Sequence, residues 1–314
     1  MASASEENME KLQQDLWVPV SDGERLHLKR ICGREGGAPV LMAHGVMANG
    51  RTFYTESGKG LAHFLADAGY DVYAADLRGR GRSTPKIGPH SRHGQTETIC
   101  EDLPALHDFV RRKSGGQQVH WIAHSWGGVH MTSCLVRFPE IAAQVASVVY
   151  FGSKRSVRVR NLNKLIEVDF MWCTAARWLI KACGYLPARR IRLGADDESD
   201  KSHLQSKLWA QPKPWVDSDD GFDYAEAARA GHLPPVLYFA AANDPCRGHP
   251  EDVRRFRDES GPHLSRLHLL GRRTGHLHDY NHVSLLTHPD APGDHFPLAL
   301  DWLAGRYDAV AENY

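Results

Sequence analysis

The stretch Val119-His120-Trp121-Ile122-Ala123-His124-Ser125-Trp126-Gly127-Gly128-Val129 decides how this chain of 314 residues folds. Its first part is a short apolar run, which predicts a buried β-strand. Ser125 follows that run, two glycines come soon after it, and residues 129–135 are typical of a helix. A strand that meets a helix through a sharp turn exposes the side chain at the centre of that turn. We therefore interpret Ser125 as a candidate nucleophile, with an ordinary helix-capping serine as the alternative.

Small residues around such a serine allow the strand and the helix to approach each other closely. The usual pattern is G-x-S-x-G, with a small residue two positions before and two positions after the serine. Gly127 fits the second small position, whereas Ala123 replaces the glycine that is usual at the first. We expect the single additional methyl group to be tolerated.

Charge and composition exclude several classes of protein. Lys and Arg total 38 and Asp and Glu also total 38, so the net charge is near zero, which argues against a general nucleic-acid-binding surface. The first eight residues lack the basic start and apolar core of a signal peptide, and no run of about 18 apolar residues predicts a membrane span. The six cysteines form no CxxC pair, so we expect reduced thiols and a cytoplasmic protein.

Apolar runs alternate with helical segments along most of the chain. We predict strands at residues 17–20, 25–30, 39–43, 71–75, 119–124, 145–151, 235–241 and 266–270, and a short leading helix near residues 5–16. The longest helix is expected at residues 96–112 and contains Pro104. This alternation predicts an α/β fold with a mostly parallel central sheet flanked by helices.

The alternation stops near residue 154 and resumes near residue 233. We therefore predict a core domain made of residues 1–153 and 233–314, and a mainly helical cap, or lid, at residues 154–232. The cap is rich in apolar residues at helical spacing, including Leu165, Ile166, Phe170, Met171, Trp172, Trp178, Leu179 and Ile180. We expect most of them to pack the cap onto the sheet and a minority to line an acyl slot above Ser125. A membrane-docking lid is a further alternative, because Arg158, Arg160 and Lys164 flank the apolar run.

Four segments resemble the α/β-hydrolase family, and they occur in the family's order. They are residues 41–46 (LMAHGV), 75–83 (ADLRGRGRS), 123–128 (AHSWGG) and 243–245 (NDP). The resemblance covers nearly all of the chain except residues 1–15 and the insertion. A second, weaker resemblance links residues 60–72 (GLAHFLADAGYDV) and 102–105 (DLPA) to the acid-lipase branch of that family. The resemblance implies an α/β-hydrolase fold with a serine nucleophile, an acid and a histidine base, in that order along the chain.

The acid and the base are assigned from their positions after predicted strands. Asp244 follows an apolar strand directly and is the candidate acid, whereas a turn-forming Asp before Pro245 is the alternative. His276, His278 and His282 all follow the last strand. We favour His282 as the base because it begins a helical run, and His276, which follows a glycine, is the second candidate. The group His276-x-His278-Asp279 also permits a metal site, but its spacing does not match that of binuclear hydrolases, so we expect none.

The resemblance also implies an oxyanion hole formed by two backbone N–H groups, those of Val46 and Trp126. We predict a serine carboxylic-ester hydrolase that acts on short- to medium-chain esters through an acyl-enzyme and needs no cofactor. Thioesters, lactones, amides and carbon–carbon bonds are alternative substrates of the same three residues. A ligand-binding receptor that retains these residues but turns over slowly is the alternative from another class. The expected partner is a small-molecule ester, and the sequence does not indicate an oligomeric state.

Overall fold

A twisted sheet of eight strands forms the centre of the protein in the computed structural model, which describes residues 12–33 and 35–314. The spatial order of the strands is β1-β2-β4-β3-β5-β6-β9-β10. They are β1 (Leu12–Pro19), β2 (Arg25–Cys32), β3 (Pro39–Ala43), β4 (Asp71–Asp76), β5 (Val119–His124), β6 (Val145–Phe151), β9 (Val236–Ala241) and β10 (Ser265–Leu270). Strands β1 and β2 run antiparallel to their neighbours, and the remaining pairs are parallel. The predicted α/β fold with a mostly parallel sheet is confirmed.

Apolar side chains on both faces of the central strands explain this arrangement. Every residue of β3, β5 and β9 is buried, as is expected for parallel strands that are covered by helices on both sides. One face packs in a core with Ile99, Leu106, Val129 and Phe256, and the other in a core with Leu61, Leu65 and Trp302.

Helices cover both faces and follow the strands in turn. Those outside the insertion are α1 (Leu61–Asp67), α2 (Gln95–Glu97), α3 (Leu103–Lys113), α4 (Trp126–Arg137), α5 (Pro139–Ala142), α9 (Pro250–Glu259), α10 (Ser284–Thr287), α11 (Ala291–Asp294) and α12 (Phe296–Leu303). Short 3₁₀ turns occur at Ser21–Gly23, Gly50–Thr52, Arg272–Thr274 and Tyr307–Ala309. The helix predicted at residues 96–112 is observed as α2 and α3 joined by a π-helical segment at Thr98–Asp102. Pro104, whose nitrogen cannot donate a hydrogen bond, lies in the first turn of α3.

The leading helix predicted near residues 5–16 is wrong for the part that the structure describes. Residues Leu12–Pro19 form β1, which pairs along its whole length with β2, and residues 5–11 lie outside the described part of the chain. Pairing with β2 satisfies the backbone of β1 through long-range hydrogen bonds, and such tertiary contacts override a weak local helix preference.

The insertion between β6 and β9 is mainly helical. It contains a π-helical segment (Lys164–Ala175), the helices α6 (Ala176–Cys183), α7 (Asp200–Ala210) and α8 (Tyr224–Arg229), and the short antiparallel pair β7 (Tyr185–Leu186) and β8 (Glu198–Ser199). Its second half joins the main core through Trp209, Trp215 and Tyr224. No helix in residues 12–33 and 35–314 is long and apolar enough to cross a membrane.

For the eight apolar residues of the insertion named in the sequence analysis, the expectation that most pack inward is wrong. Five of the eight named above are exposed, with Leu165 58% and Trp178 63% accessible, whereas Ile180 is buried. The exposed members are Leu165, Ile166, Phe170, Met171 and Trp178. The small cluster around Ala176, Ile180, Leu186 and Ala188 is filled by few side chains, which leaves one face of this helical segment facing outward.

Candidate active site

Ser125 stands at the carboxyl end of β5, in the turn that leads into α4. Its backbone has φ 55° and ψ −125°, which is rare for a residue other than glycine. The Ser125 N–H donates to the Phe151 carbonyl at 2.8 Å, and its side chain makes no hydrogen bond to the start of α4. The helix-capping interpretation of Ser125 is therefore wrong, because the hydroxyl points away from the helix terminus that it would cap.

The residues around Ser125 explain why the turn is tolerated. A β-carbon at Gly127 would lie 2.5 Å from the Ala43 carbonyl oxygen, so only glycine allows the helix to approach β3 this closely. Ala123 is fully buried in the sheet between Ala43 and Tyr150, and its methyl group is accommodated. The incomplete G-x-S-x-G pattern is thus compatible with the turn.

His282 joins Ser125 and Asp244 in one chain of hydrogen bonds. The distance from His282 Nε2 to Ser125 Oγ is 2.9 Å, and that from His282 Nδ1 to Asp244 Oδ2 is 2.7 Å. In this arrangement the Nδ1–H group donates to the carboxylate, and the Ser125 hydroxyl donates to the free Nε2. The structure therefore brings together the serine, the histidine and the aspartate that the sequence analysis singled out from distant segments.

Asp244 is held as a carboxylate at the end of β9. Its side chain is buried, and its Oδ1 accepts hydrogen bonds from the N–H groups of Cys246 and Arg247 at 3.2 and 2.8 Å. Burial raises the pKa of Asp244, but the hydrogen bond from His282 and the backbone N–H groups of Gly248 and Arg247 outweigh burial, so that the net pKa is lowered. A charged carboxylate at this position fixes the tautomer of His282.

His124 also contacts His282, and the sequence analysis missed this contact. Its Nε2–H donates to the backbone carbonyl of His282 at 2.8 Å, and the two rings lie 4.8 Å apart. Burial lowers the pKa of His124 to about 3, so its ring is neutral at physiological pH. The one available signal in the sequence was its position directly before the serine.

The loop after β3 lies against Ser125. A β-carbon at Gly45 would be 3.0 Å from Ser125 Cβ and 3.3 Å from the Trp126 nitrogen. His44 fixes this loop, because its Nδ1–H donates to the Gly45 carbonyl at 2.8 Å and its Nε2 accepts from the Leu77 N–H at 3.1 Å. Burial lowers the pKa of His44 to about 4 and thereby favours the neutral ring that this arrangement requires.

Comparisons with known proteins agree with this fold. A family model described as alpha/beta hydrolase fold matches residues 38–173. An esterase from Exiguobacterium antarcticum superimposes with a TM-score of 0.60 over 93% of this chain and 100% of that chain, at 17% identity. Carboxylesterase CesB from Bacillus subtilis gives a TM-score of 0.57 over 94% and 92% of the two chains, at 16% identity.

The chain has the α/β-hydrolase fold. In sequence it is 34% identical over 164 residues to human gastric triacylglycerol lipase. The aligned region covers 47% of this chain and 41% of that protein. It is 30% identical over 158 residues to human lysosomal acid lipase/cholesteryl ester hydrolase. This alignment covers 46% of this chain and 40% of that protein. The matched region therefore spans about two fifths of these relatives. The resemblance to the acid-lipase branch is confirmed as a similarity of sequence over about half of this chain.

Two acidic residues of the insertion bind the loop that carries Val46. Glu198 is fully buried; it accepts from the Met47 N–H at 3.2 Å and forms an ion pair with Arg80. Asp196 accepts from the Asn49 side chain at 2.6 Å and from the Gly81 N–H at 2.9 Å. These contacts fasten the insertion to the loop beside Ser125, and no spacing along the chain predicts them.

The other histidines after the last strand have different partners. His276 contacts His268 at 2.9 Å and Asp294 at 2.8 Å, and the backbone N–H of Arg272 donates to Asp279. The ligand atoms of His278, His288 and Asp290 instead lie within 4.8 Å of one another at the surface. The group His276-x-His278-Asp279 is thus divided among separate networks, and none of its members contacts Ser125.

A cavity of about 380 Å³ opens within the insertion. Its lining mixes apolar and polar side chains: Val157, Lys164, Val168, Asp169, Cys173, Ala210, Gln211, Pro212 and Lys213. Ser125 is half-buried and does not line this cavity, and the exposed apolar residues of the insertion do not line it either.

Proposed function

We propose that this protein is a carboxylic-ester hydrolase in which Ser125 is the nucleophile, His282 the base and Asp244 the acid that orients the base. The observation that carries the proposal is the unbroken chain of hydrogen bonds from Ser125 Oγ through His282 to Asp244, at 2.9 and 2.7 Å. The similarity to esterases and lipases supports the same class of reaction.

Each residue has a defined step in the proposed reaction. His282 Nε2 takes the hydroxyl proton as Ser125 Oγ attacks the ester carbonyl carbon, and the same proton then passes to the departing alcohol. Water, deprotonated by His282, attacks the acyl-enzyme and releases the acid, while the proton returns to Ser125. Asp244 stays charged throughout and stabilises the imidazolium that forms in each half of the reaction.

The oxyanion that forms in both halves needs hydrogen-bond donors. We propose the backbone N–H groups of Val46 and Trp126, as in the sequence prediction. The proposal is supported by the close approach of Gly45 to Ser125 Cβ and to the Trp126 nitrogen, and by the hydrogen bonds of His44 that hold the loop. Loss of one such donor typically lowers kcat about 100- to 1000-fold.

The insertion is proposed to act as a cap over Ser125, and the substrates are proposed to be short- to medium-chain esters. The buried contacts of Asp196 and Glu198 with the loop after β3 support a fixed cap.

A series of p-nitrophenyl esters from about two to sixteen carbons tests the proposed acyl chain length. Each buried methylene contributes up to about 0.8 kcal/mol to the binding of the transition state. A maximum of kcat/KM at medium length is expected, and a monotonic fall from acetate would reject an apolar acyl slot.

Replacement of Ser125 tests the reaction itself. Ser125→Ala should lower kcat on p-nitrophenyl butyrate by at least about three orders of magnitude, and a fluorophosphonate should label the parent protein at Ser125 only. Near-normal turnover by the folded variant would exclude the mechanism. A single rapid release of nitrophenol without steady turnover would favour the slow ligand-binding receptor.

The cytoplasmic location stays a prediction, which fractionation of native cells would test.

A further inference from the structure

The segment that follows β6 runs beside the proposed nucleophile and base. A β-carbon at Gly152 would lie 3.1 Å from His282 Nδ1, and one at Gly128 would lie 2.2 Å from Ser153 Oγ. Lys154 comes next, and its Nζ lies 5.1 Å from the centre of the Trp126 ring. Trp126 directly follows Ser125, and the charge of Asp244 acts on the Lys154 ammonium group, so Lys154 lies near the proposed site.

Lys154 differs from the cations around it in having no anionic partner. Arg155 and Arg158 pair with Glu259 at 2.9 and 3.2 Å, and Arg247 pairs with Glu167 at 2.6 Å. Within residues 12–33 and 35–314, Lys154 makes neither an ion pair nor a side-chain hydrogen bond, although it is half-buried. Its ammonium group lies over the face of the Trp126 ring instead.

The surroundings of Lys154 oppose its charge. Burial lowers its pKa, and the attraction of Asp244 and Asp252 does not restore it. A cation over an aromatic ring gains less free energy than the removal of an ammonium group from water costs. The Trp126 contact therefore leaves part of this cost uncompensated. An anion that enters with the substrate would complete the pair.

We propose that Lys154 binds a carboxylate of the substrate, so that the site prefers esters carrying a negative charge over neutral esters of equal length. The inference rests on the proposed ester hydrolysis at Ser125 and adds the class of ester. A charged hydrogen bond of this kind corresponds to a preference of about 10- to 150-fold. It also explains why a lysine is found beside Trp126, where an apolar side chain would pack at lower cost.

Matched pairs of substrates test this inference. The acyl side is examined with the p-nitrophenyl monoester of glutaric acid against p-nitrophenyl valerate, and the alcohol side with the butyrate ester of p-hydroxybenzoate against that of its methyl ester. We expect the parent protein to give a higher kcat/KM on the charged member of at least one pair, chiefly through a lower KM. We expect this preference to shrink as the salt concentration rises. Equal or lower kcat/KM for the charged member of both pairs would overturn the inference, whereas Ser125-dependent turnover of the neutral esters would leave the proposed function intact.

Variants locate the preference within the site. Lys154→Met should lower the ratio of charged to neutral kcat/KM about 10- to 150-fold, and Lys154→Arg should retain part of it. Lys164→Met is the matched control, because Lys164 already pairs with Asp169 at 2.7 Å, and it should leave the ratio unchanged. An unchanged ratio in folded Lys154→Met would overturn the assignment. If that variant does not fold, competitive inhibition of the parent protein by glutarate, compared with neutral glutaramide, decides the question, and equal inhibition constants would overturn it.

Discussion

The backbone at Ser125 carries a conformational cost that its neighbours offset. A residue other than glycine at φ 55° costs about 1–3 kcal/mol, and the hydrogen bond from Ser125 N–H to the Phe151 carbonyl and that from Gly128 N–H to the Ser125 carbonyl hold it in place. In return, the turn directs Ser125 Oγ toward His282 rather than toward the terminus of α4. The strain at this residue is therefore part of how the site is assembled.

The choice between the two candidate bases leads to the first residue-scale prediction. His282→Ala should reduce kcat as severely as Ser125→Ala, since neither group acts without the other. His276→Ala removes contacts with His268 and Asp294 only and should keep most of the activity. Steady-state kinetics on p-nitrophenyl butyrate, with thermal melting as a check of folding, distinguish the two. A severe loss in His276→Ala with full activity in His282→Ala would reverse the assignment.

Gly248 gives a second prediction at this scale. A β-carbon there would lie 2.9 Å from His282 Nδ1, 3.0 Å from Asp244 Oδ2 and 2.6 Å from the Gly152 carbonyl oxygen. Gly248→Ala must therefore displace the Asp244–His282 pair, and a shift of about 1 Å can lower kcat about 100-fold. Gly88→Ala is the control, because no atom lies within 4 Å of its added β-carbon. Equal kcat values for the two variants would show that the pair tolerates the methyl group.

At the scale of elements, the sheet edge gathers groups that are far apart in the chain. Ser125 and Asp244 follow the parallel strands β5 and β9, and parallel strands present their carboxyl ends at one edge of the sheet. The insertion is attached to that edge through the buried pair Arg80–Glu198 and through Asp196. An element outside the sheet thereby fixes the loop that carries Val46.

Removal of the Glu198 charge tests this attachment. Glu198→Gln leaves the buried Arg80 without its anion, which costs about 3–5 kcal/mol in the free energy of unfolding. It also weakens the hydrogen bond from Met47 N–H, so kcat should fall as well. Urea unfolding and ester kinetics measure the two effects. The double variant Arg80→Leu, Glu198→Leu should recover part of the stability, and a double variant no more stable than Glu198→Gln would contradict this account.

At the scale of the whole molecule, buried histidines make stability depend on pH. Burial lowers the pKa of His44 and His203 to about 4, and that of His93, His124 and His130 to about 3. The unfolded chain protonates these groups near pH 6.5, so below that pH it binds more protons than the folded chain. Each such histidine therefore lowers the free energy of unfolding by about 1.4 kcal/mol per pH unit, from about pH 6.5 down to its own folded pKa.

Acidification should thus destabilise the protein well above the range in which carboxylates titrate. Burial raises the pKa of Asp102 to about 6, which acts in the opposite direction, but this single group is outnumbered by the histidines. Urea midpoints measured at pH 7.5, 6.5, 5.5 and 4.5 should fall steadily below pH 6.5. His203→Gln should show a shallower fall because one buried histidine is gone. Constant midpoints between pH 7.5 and 5.5 would contradict the prediction.

Local chemistry was sufficient to predict much of this protein from its sequence. The apolar runs predicted the parallel strands β3 and β9, because a strand covered on both faces is mostly apolar along its whole length. The pattern around Ser125 predicted the turn, since a small residue is required where α4 meets β3. The position of Asp244 after an apolar strand and that of His282 before a helical run were also local signals, and the family resemblance supplied their order.

Only the tertiary structure decided the features that depend on distant partners. The pairing of β1 with β2 replaced the predicted leading helix, because hydrogen bonds along the whole strand outweigh a weak local preference. The exposed face of the insertion was not visible in its apolar spacing, since spacing shows which residues share a face but not whether another element covers it. The roles of His124, Glu198 and Lys154 depend on side chains that meet across the fold, for which no spacing along the chain provides a signal.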